Sequence, residues 1–340
     1  MAFEALKVPL EDGTIYDASW ILIVGLGLIV LMIVLKIYQA TREANEYNSE
    51  NYQPNTIYPL LLPTTFKKNK YSNYCGIEIE CLQKGKSIKS EEVKLFHFDK
   101  GGDGSLSSDG VEFKSYPANG DRLIEIIERF CKKLNNNGYK IDTSCGLHLH
   151  IETKPDLDLL KKLYCFYSKY EPYFFAMLPK SRQNNGYCQK FNKTDKYKWE
   201  ELIDITTLGD FKKMFYENFW FFNRVKHQEE HGYHKRYCWM NFHSIFYRGT
   251  LEIRAHSGTI SYEKIKNWIM IHLIIRDYLE NHTLKEVMKR GMCKGSFLKI
   301  FPSYLQGYIK ERWKAFPDTA EANFKEYSVI SENDDGDDDE

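Results

Sequence analysis

Three short stretches carry ionisable side chains at alternate positions. Glu78-Ile79-Glu80 follows Gly76-Ile77, His148-Leu149-His150 lies between Leu147 and Ile151, and Glu252-Ile253-Arg254 follows Leu251. Residues i and i+2 of a strand share a face. Each stretch therefore turns its aliphatic residues toward a core and its ionisable ones to the other side. Glu112, between Val111 and Phe113, alternates in the same way after the turn Gly101-Gly102-Asp103-Gly104-Ser105. Taken singly, Glu78 and Glu80 fit the wet face of an antiparallel strand, the two histidines fit a hydrogen-bonded pair on a half-buried face, and Glu252 with Arg254 fits a weak surface ion pair. Together they place four or five carboxylates, two imidazoles and an arginine on one sheet face. Clustered carboxylates raise one another's pKa unless cations neutralise them. A metal site is the best physical reason for the set. Oxygen-rich donors suit Mg²⁺ or Mn²⁺, and a histidine shifts the balance toward Mn²⁺ or Zn²⁺.

The elements that must hold these residues are legible around them. Tyr74–Cys81 and Leu147–Ile151 alternate as strands. Asp121 is the expected cap of a helix over 122–136 that stops at Asn137-Gly138. Long helices are expected over 156–177 and 208–226, and another runs from Ser261 to about Asn281. Trp239–Phe246 and Thr250–Ala255 read as a hairpin around Arg248-Gly249. Thr283-x-x-Glu286 is a capping-box start for a further helix.

The 340 residues include 47 basic and 47 acidic side chains, but the zero sum conceals a basic body between acidic ends. Residues 332–340 hold seven acids and no base, and residues 21–330 hold 46 basic against 36 acidic side chains. The aromatic content excludes a disordered or collagen-like chain. Eight scattered cysteines without a CxxC pair suit reduced thiols and argue against a zinc ribbon. Ala18 to Leu35 run without a charge, and Trp20 and Tyr38 sit where interfacial aromatics belong. This predicts a transmembrane helix over 20–38 after a stub of residues 1–19. Basic residues after the span set the N-terminus outside and the folded body in the cytoplasm as a single-pass protein, with the lipid bilayer as a partner. The remaining plan is a polar linker over 39–70, a catalytic body over 71–330 and an acidic tail over 331–340. Dispersed Lys and Arg without a recognised motif give no reason to expect a nucleic-acid partner.

The stretches Tyr74-Cys75-Gly76-Ile77-Glu78-Ile79-Glu80, Asp103-Gly104-Ser105 with Glu112, and Ser144-Cys145-Gly146-Leu147-His148-Leu149-His150 resemble the amidoligase family. So do Arg236-Tyr237, Asn241-Phe242-His243 and the run from Gly249 to Thr259. Amidoligases are carboxylate–amine ligases of the glutamine synthetase and glutamate–cysteine ligase superfamily, and the likeness covers about residues 73–280. It implies an α+β fold in which a curved, mainly antiparallel sheet, like the glutamine synthetase catalytic domain, carries helices on one face. It also implies ATP, Mg²⁺ or Mn²⁺, and amino-acid or peptide carboxylate and amine substrates. By resemblance Glu78, Glu80, Asp103, Glu112, His148 and Glu252 match metal ligands. His148 also faces nucleotide and Arg254 steadies the transferring phosphate. Arg182 matches a family arginine for substrate carboxylate or phosphate, His150 binds substrate or supports His148, and Asn241 falls to substrate. Lys114 departs from the family pattern; it shares the face of Glu112 and reaches phosphate or solvent. Glu80, Arg254 and Arg182 are the expected catalytic residues.

The chemistry has its own logic. An amine cannot displace oxide from a carboxylate, whereas transfer of a γ-phosphoryl group makes an acyl phosphate whose leaving group is phosphate. Divalent ions and an arginine offset the developing charge, and a carboxylate in the cleft accepts the amine's proton. A zinc hydrolase built on His148, His150 and a carboxylate is the alternative from another class, and a silent scaffold of the same fold is a third. A Cys145–His148 nucleophile is disfavoured, because residues three apart on a strand tend to face oppositely.

Overall fold

In the computed structural model the described residues are 7–9, 15–17, 73–102, 106–191, 201–216 and 234–334. The chain divides into two units. In the first, β1 (Lys7–Pro9) and β2 (Ile15–Asp17) pair antiparallel. The second holds an eight-stranded sheet made of β3 (Tyr74–Gln83), β4 (Phe98–Gly101), β5 (Gly110–Ser115), β6 (Ala118–Asn119), β7 (Tyr139–Lys140), β8 (Gly146–Glu152), β9 (Met240–Asn241) and β10 (Thr250–Ser257). The strand order is β4-β5-β3-β8-β10-β9, with β6 and β7 also paired to β3, and these pairings are antiparallel. The helices are α1 (Ser90–Lys94), α2 (Gly120–Asn136), α3 (Leu157–Phe175), α4 (Glu201–Asp204), α5 (Leu208–Tyr216), α6 (His243–Arg248), α7 (Tyr262–Glu280), α8 (Leu284–Lys289), α9 (Lys294–Leu298), α10 (Ser303–Ala315) and α11 (Pro317–Asp334). The class is α+β on an open antiparallel sheet.

Alternation decides which face of the sheet is dry. Along β3, Cys75, Ile77, Ile79 and Cys81 are almost wholly buried, and Leu147, Leu149 and Ile151 of β8 and Leu251 and Ile253 of β10 continue that face. These residues join α2, α3 and α7 in one apolar core. Phe130 of α2 stacks on Phe98 at 4.0 Å and meets Phe113 edge-on at 5.1 Å, which fastens the helix to β4 and β5. The opposite face is left to the ionisable residues.

Helix ends follow local hydrogen bonding. Asn119, not Asp121, caps α2: its side chain accepts from the Arg122 N–H at 3.3 Å, and Asp121 lies inside the first turn. The helix stops at Asn137, followed by Gly138 at φ 73°. The Thr283–Glu286 capping box forms in both directions. The expected hairpin before β10 takes another form. Asn241 does pair with Glu252, but residues 243–248 are helical. The Asn241 side chain accepts from Ser244 N at 3.2 Å and starts a helical turn, and Gly249 at φ 73° reverses the chain into β10. Of the helix expected over 208–226, residues 208–216 are helical and the rest lies outside the described residues.

The expected single-pass membrane placement is corrected. Among the described residues no helix is long and apolar enough to cross a membrane. The 20–38 segment, on which that expectation rested, lies outside them. The long apolar helices that are described, α3 and α7, owe their composition to burial in the core. None of the eight cysteines is in a disulfide.

Candidate active site

Strand register assembles the polar face row by row. Across β5, β3 and β8, Lys114 stands opposite Glu78 and Glu78 opposite His148, while Glu112 stands opposite Glu80. Across β8, β10 and β9, His150 stands opposite Glu252 and Glu252 opposite Asn241. The register then slips: between the pairs Ile253–Leu149 and His256–Leu147, both Arg254 and Ala255 face the single His148. Such a bulge re-aims side chains and leaves backbone groups unpaired. Arg182 takes them up, donating from Nη2 to the Arg254 carbonyl at 2.7 Å and from Nε to the Ala255 carbonyl at 3.1 Å. It is 3% exposed, so its guanidinium is committed to holding the strand.

Glu78, Glu80, Glu112, His148, His150 and Glu252 are all buried on this face. His148 Nδ1 lies 3.0 Å from Glu78 Oε2 and 3.6 Å from Glu252 Oε1, and its Nε2 lies 3.7 Å from Glu80 Oε1. Gly146 donates its N–H to Glu80 Oε2 at 2.5 Å. A Cβ at Gly146 would stand 3.1 Å from His148 Nε2 and 3.2 Å from Glu80 Oε2. The glycine of the Gly-x-His stretch thus lets backbone approach the carboxylate. Asn241 holds Glu252, its Nδ2 donating to Oε2 at 2.6 Å. Arg254 pairs with Glu252 Oε1 and donates from Nε to the Tyr187 carbonyl at 3.0 Å. Asp103 lies outside the described residues.

Two groups of three bring their donor atoms within 4.8 Å of one another: Glu78, His150 and Glu252, and Glu78, Glu112 and His148. The first contains an unsatisfied group. His150 Nδ1 lies 3.0 Å from Thr250 Oγ1, while its buried Nε2 has no hydrogen-bond partner among the described residues. If Nδ1–H donates to Thr250, Nε2 is left with a lone pair 3.5 Å from Glu78 Oε1 and 3.9 Å from Glu252 Oε1. A lone pair facing two carboxylates is relieved by a proton, which makes the ring itself a cation, or by a bound metal ion, and a second hydrogen bond orienting the ring is how ligating histidines are held. The oxygen-and-imidazole set fits Mg²⁺ or Mn²⁺.

Titration follows from the same contacts. Burial, then the Glu78 charge, pushes the Glu112 carboxyl up to about 8, against the opposing pull of Lys114, 2.8 Å away. Burial also raises Glu252, but the Arg254 charge, with His150, more than offsets it and holds that carboxyl at about 2. Burial raises Glu78 too, but His148, bonded at 3.0 Å, and His150, 3.5 Å away, outweigh it and bring that carboxyl well below the usual carboxylate range. A ligand that must ionise binds metal more tightly as pH rises through its pKa. Mn²⁺ affinity, read by calorimetry, is therefore expected to rise by close to tenfold between about pH 7 and pH 8.5, with release of a proton. Without metal the sign reverses for the fold. An unfolded glutamate ionises near 4.5 and Glu112 near 8. The folded state thus binds the extra proton in that window, and its stability falls as pH rises across it.

Several participants had weak sequence signals. Thr250, which orients His150, is one alternation step before Glu252 and could have been read from the strand period. Arg248, with Nη1 3.6 Å from Glu78 Oε1, precedes the strand and follows no such pattern. Cys145 is no nucleophile: burial pushes its thiol up to about 11.

An antiparallel sheet carries, on its polar face, carboxylates and imidazoles that could hold a metal ion, flanked by lysine and arginine. The chain matches the family described as "putative amidoligase enzyme" over residues 36–275, more than half its length, and belongs to that amidoligase family, whose members form amide bonds. Comparison with curated proteins gave no match.

Proposed function

We propose that this amidoligase is an ATP-dependent carboxylate–amine ligase that works through an acyl phosphate, with residues 71–330 as its catalytic body. The observation that carries this reading is the pair of triads sharing Glu78, bordered by Lys114, Arg248 and Arg254 within 4 Å of the site's carboxylates. Bound Mg²⁺ or Mn²⁺ supplies Lewis acidity and charge neutralisation for phosphoryl transfer.

Glu78, Glu112, Glu252, His148 and His150 would hold the ions. Lys114 and Arg254 face the phosphate oxygens; Arg254 is a fixed, planar donor set. Arg182 and Asn241 act through their neighbours, the first by clamping the bulge that aims Arg254, the second by orienting Glu252. The substrate carboxylate attacks the γ-phosphorus and ADP leaves. The amine then attacks the acyl carbon, phosphate leaves, and the amine's proton passes to a carboxylate. Glu80 is our assignment for that acceptor. It stands outside both triads, with Oε2 fixed by the Gly146 N–H and Oε1 in no hydrogen bond among the described residues. The pocket's substrates are amino-acid or peptide acids and amines.

The test is ADP release from ATP by the full-length chain with Mg²⁺ or Mn²⁺, screened against amino acids and short peptides. Release is expected only when an acid and an amine are both present. Product formation without ATP, or ATP turnover indifferent to acid and amine, overturns the reading.

A further inference from the structure

Arg248 differs from the other arginines of the site. Arg182 spends its guanidinium on two carbonyls, and Arg254 on Glu252 and a carbonyl. The Arg248 side chain makes no hydrogen bond among the described residues. Its Nη1 stands 3.6 Å from Glu78 Oε1, its side chain is 36% exposed, and the Tyr247 ring lies 5.7 Å away. Lys114 Nζ approaches the same oxygen at 3.4 Å and is 39% exposed. Neither closes to the roughly 2.7–2.9 Å of a charge-assisted hydrogen bond. At the open side of the cluster, Arg248 is held near Glu78 by charge alone, whereas Lys114 is also anchored on Glu112 Oε2 at 2.8 Å.

The mount is firm. Arg248 ends α6, Gly249 turns the chain at φ 73°, and the Gly249 carbonyl accepts from Thr153 N at 2.9 Å. The next residue, Thr250, holds His150. The donor fork is thus set at a fixed place two residues from a group that orients a metal ligand.

Glu78 belongs to both triads. Glu112 belongs to the second, and once both charges serve divalent ions, the attraction that draws Arg248 to Glu78 and Lys114 to Glu78 and Glu112 is cancelled. Two cationic side chains are then left beside the ions with an exposed outlook. One substrate carboxylate, with a single charge, does not balance them; a phosphate chain, with several oxyanions, does. We propose that Arg248 is a phosphate-binding residue of this site, donating to oxygens of a nucleotide's phosphate chain when Glu78 is engaged by a divalent ion. This rests on the ligase reading and adds to it a residue that acts on the nucleotide and not on the metal.

The test is calorimetric titration of the full-length protein with Mn²⁺ alone, then with ADP and with inorganic tripolyphosphate in saturating Mn²⁺. Arg248→Gln is expected to leave Mn²⁺ affinity unchanged or tighter, since a competing cation is removed. ADP and tripolyphosphate are expected to weaken together by about tenfold or more, the loss of a charge-assisted bond. Arg248→Lys, which keeps the charge and the packing stem, is expected to fall between, and it serves if the glutamine variant does not fold. Unchanged tripolyphosphate binding, or Mn²⁺ binding lost in step with phosphate binding, overturns the assignment while the ligase reading stands. A wild-type chain that binds Mn²⁺ but neither phosphate ligand overturns the ligase reading, and the role of Arg248 falls with it.

Discussion

Glu78→Gln is expected to lower Mn²⁺ affinity at both triads together, by roughly 100-fold or more, and to bring ADP release to background. The magnitude follows from its position. Loss of a residue that only orients a metal ligand costs about 10–100-fold, and Glu78 supplies ligand oxygens to both groups. The substitution keeps the volume and removes the charge. It also leaves His148 Nδ1, 3.0 Å from Oε2, facing an amide in place of a carboxylate. Glu80→Gln makes the contrast. Glu80 lies outside both triads, so this variant is expected to retain Mn²⁺ affinity within a few-fold and still lose turnover. Equal losses of metal in the two variants would contradict the division of roles. Metal titration separates the outcomes before any substrate is known.

Arg254→Ala is expected to destabilise the metal-free protein by about 3–5 kcal/mol, because it leaves Glu252 as a buried carboxylate without its principal counter-charge. The Glu252 and Arg254 side chains are 7% and 12% exposed, so little solvent is present to make good the loss. The pair is coupled. Arg254→Ala with Glu252→Gln together is expected to cost clearly less than the sum of the two single changes. Divalent ions should narrow the effect as well, since they supply positive charge to the same carboxylate. Urea unfolding with EDTA and with Mn²⁺ reads both effects through the midpoint at constant slope. Strict additivity, or a loss indifferent to metal, would mean that Glu252 is compensated elsewhere.

Strand period made much of the site legible from the sequence. Glu78 and Glu80, His148 and His150, and Glu252 and Arg254 each occupy one face because side chains alternate, and an antiparallel sheet packed on one side leaves that face polar. The period does not report register. Which carboxylate meets which imidazole depends on pairing between strands about 70 to 100 residues apart, such as Glu78 with His148 and His150 with Glu252. His150 accordingly read as a substrate residue, whereas its unpartnered Nε2 faces two carboxylates. The bulge at Arg254 and Ala255 has no local signature, so the commitment of Arg182 to two carbonyls was out of reach. Asn119 and Asp121 are both good caps by type, and backbone geometry chose the first. The membrane expectation rested on the charge-free run over 18–35, which lies outside the described residues, while the long helices α3 and α7 each carry charged residues and bury their apolar ones in the core.

Isotope transfer tests the central claim most directly. With ATP, Mg²⁺ and a screened acid labelled with ¹⁸O in both carboxylate oxygens, each amide formed is expected to send one ¹⁸O into inorganic phosphate. One carboxylate oxygen becomes the bridge of the acyl phosphate and departs with the phosphoryl group. Amide formation with phosphate free of label would contradict the account.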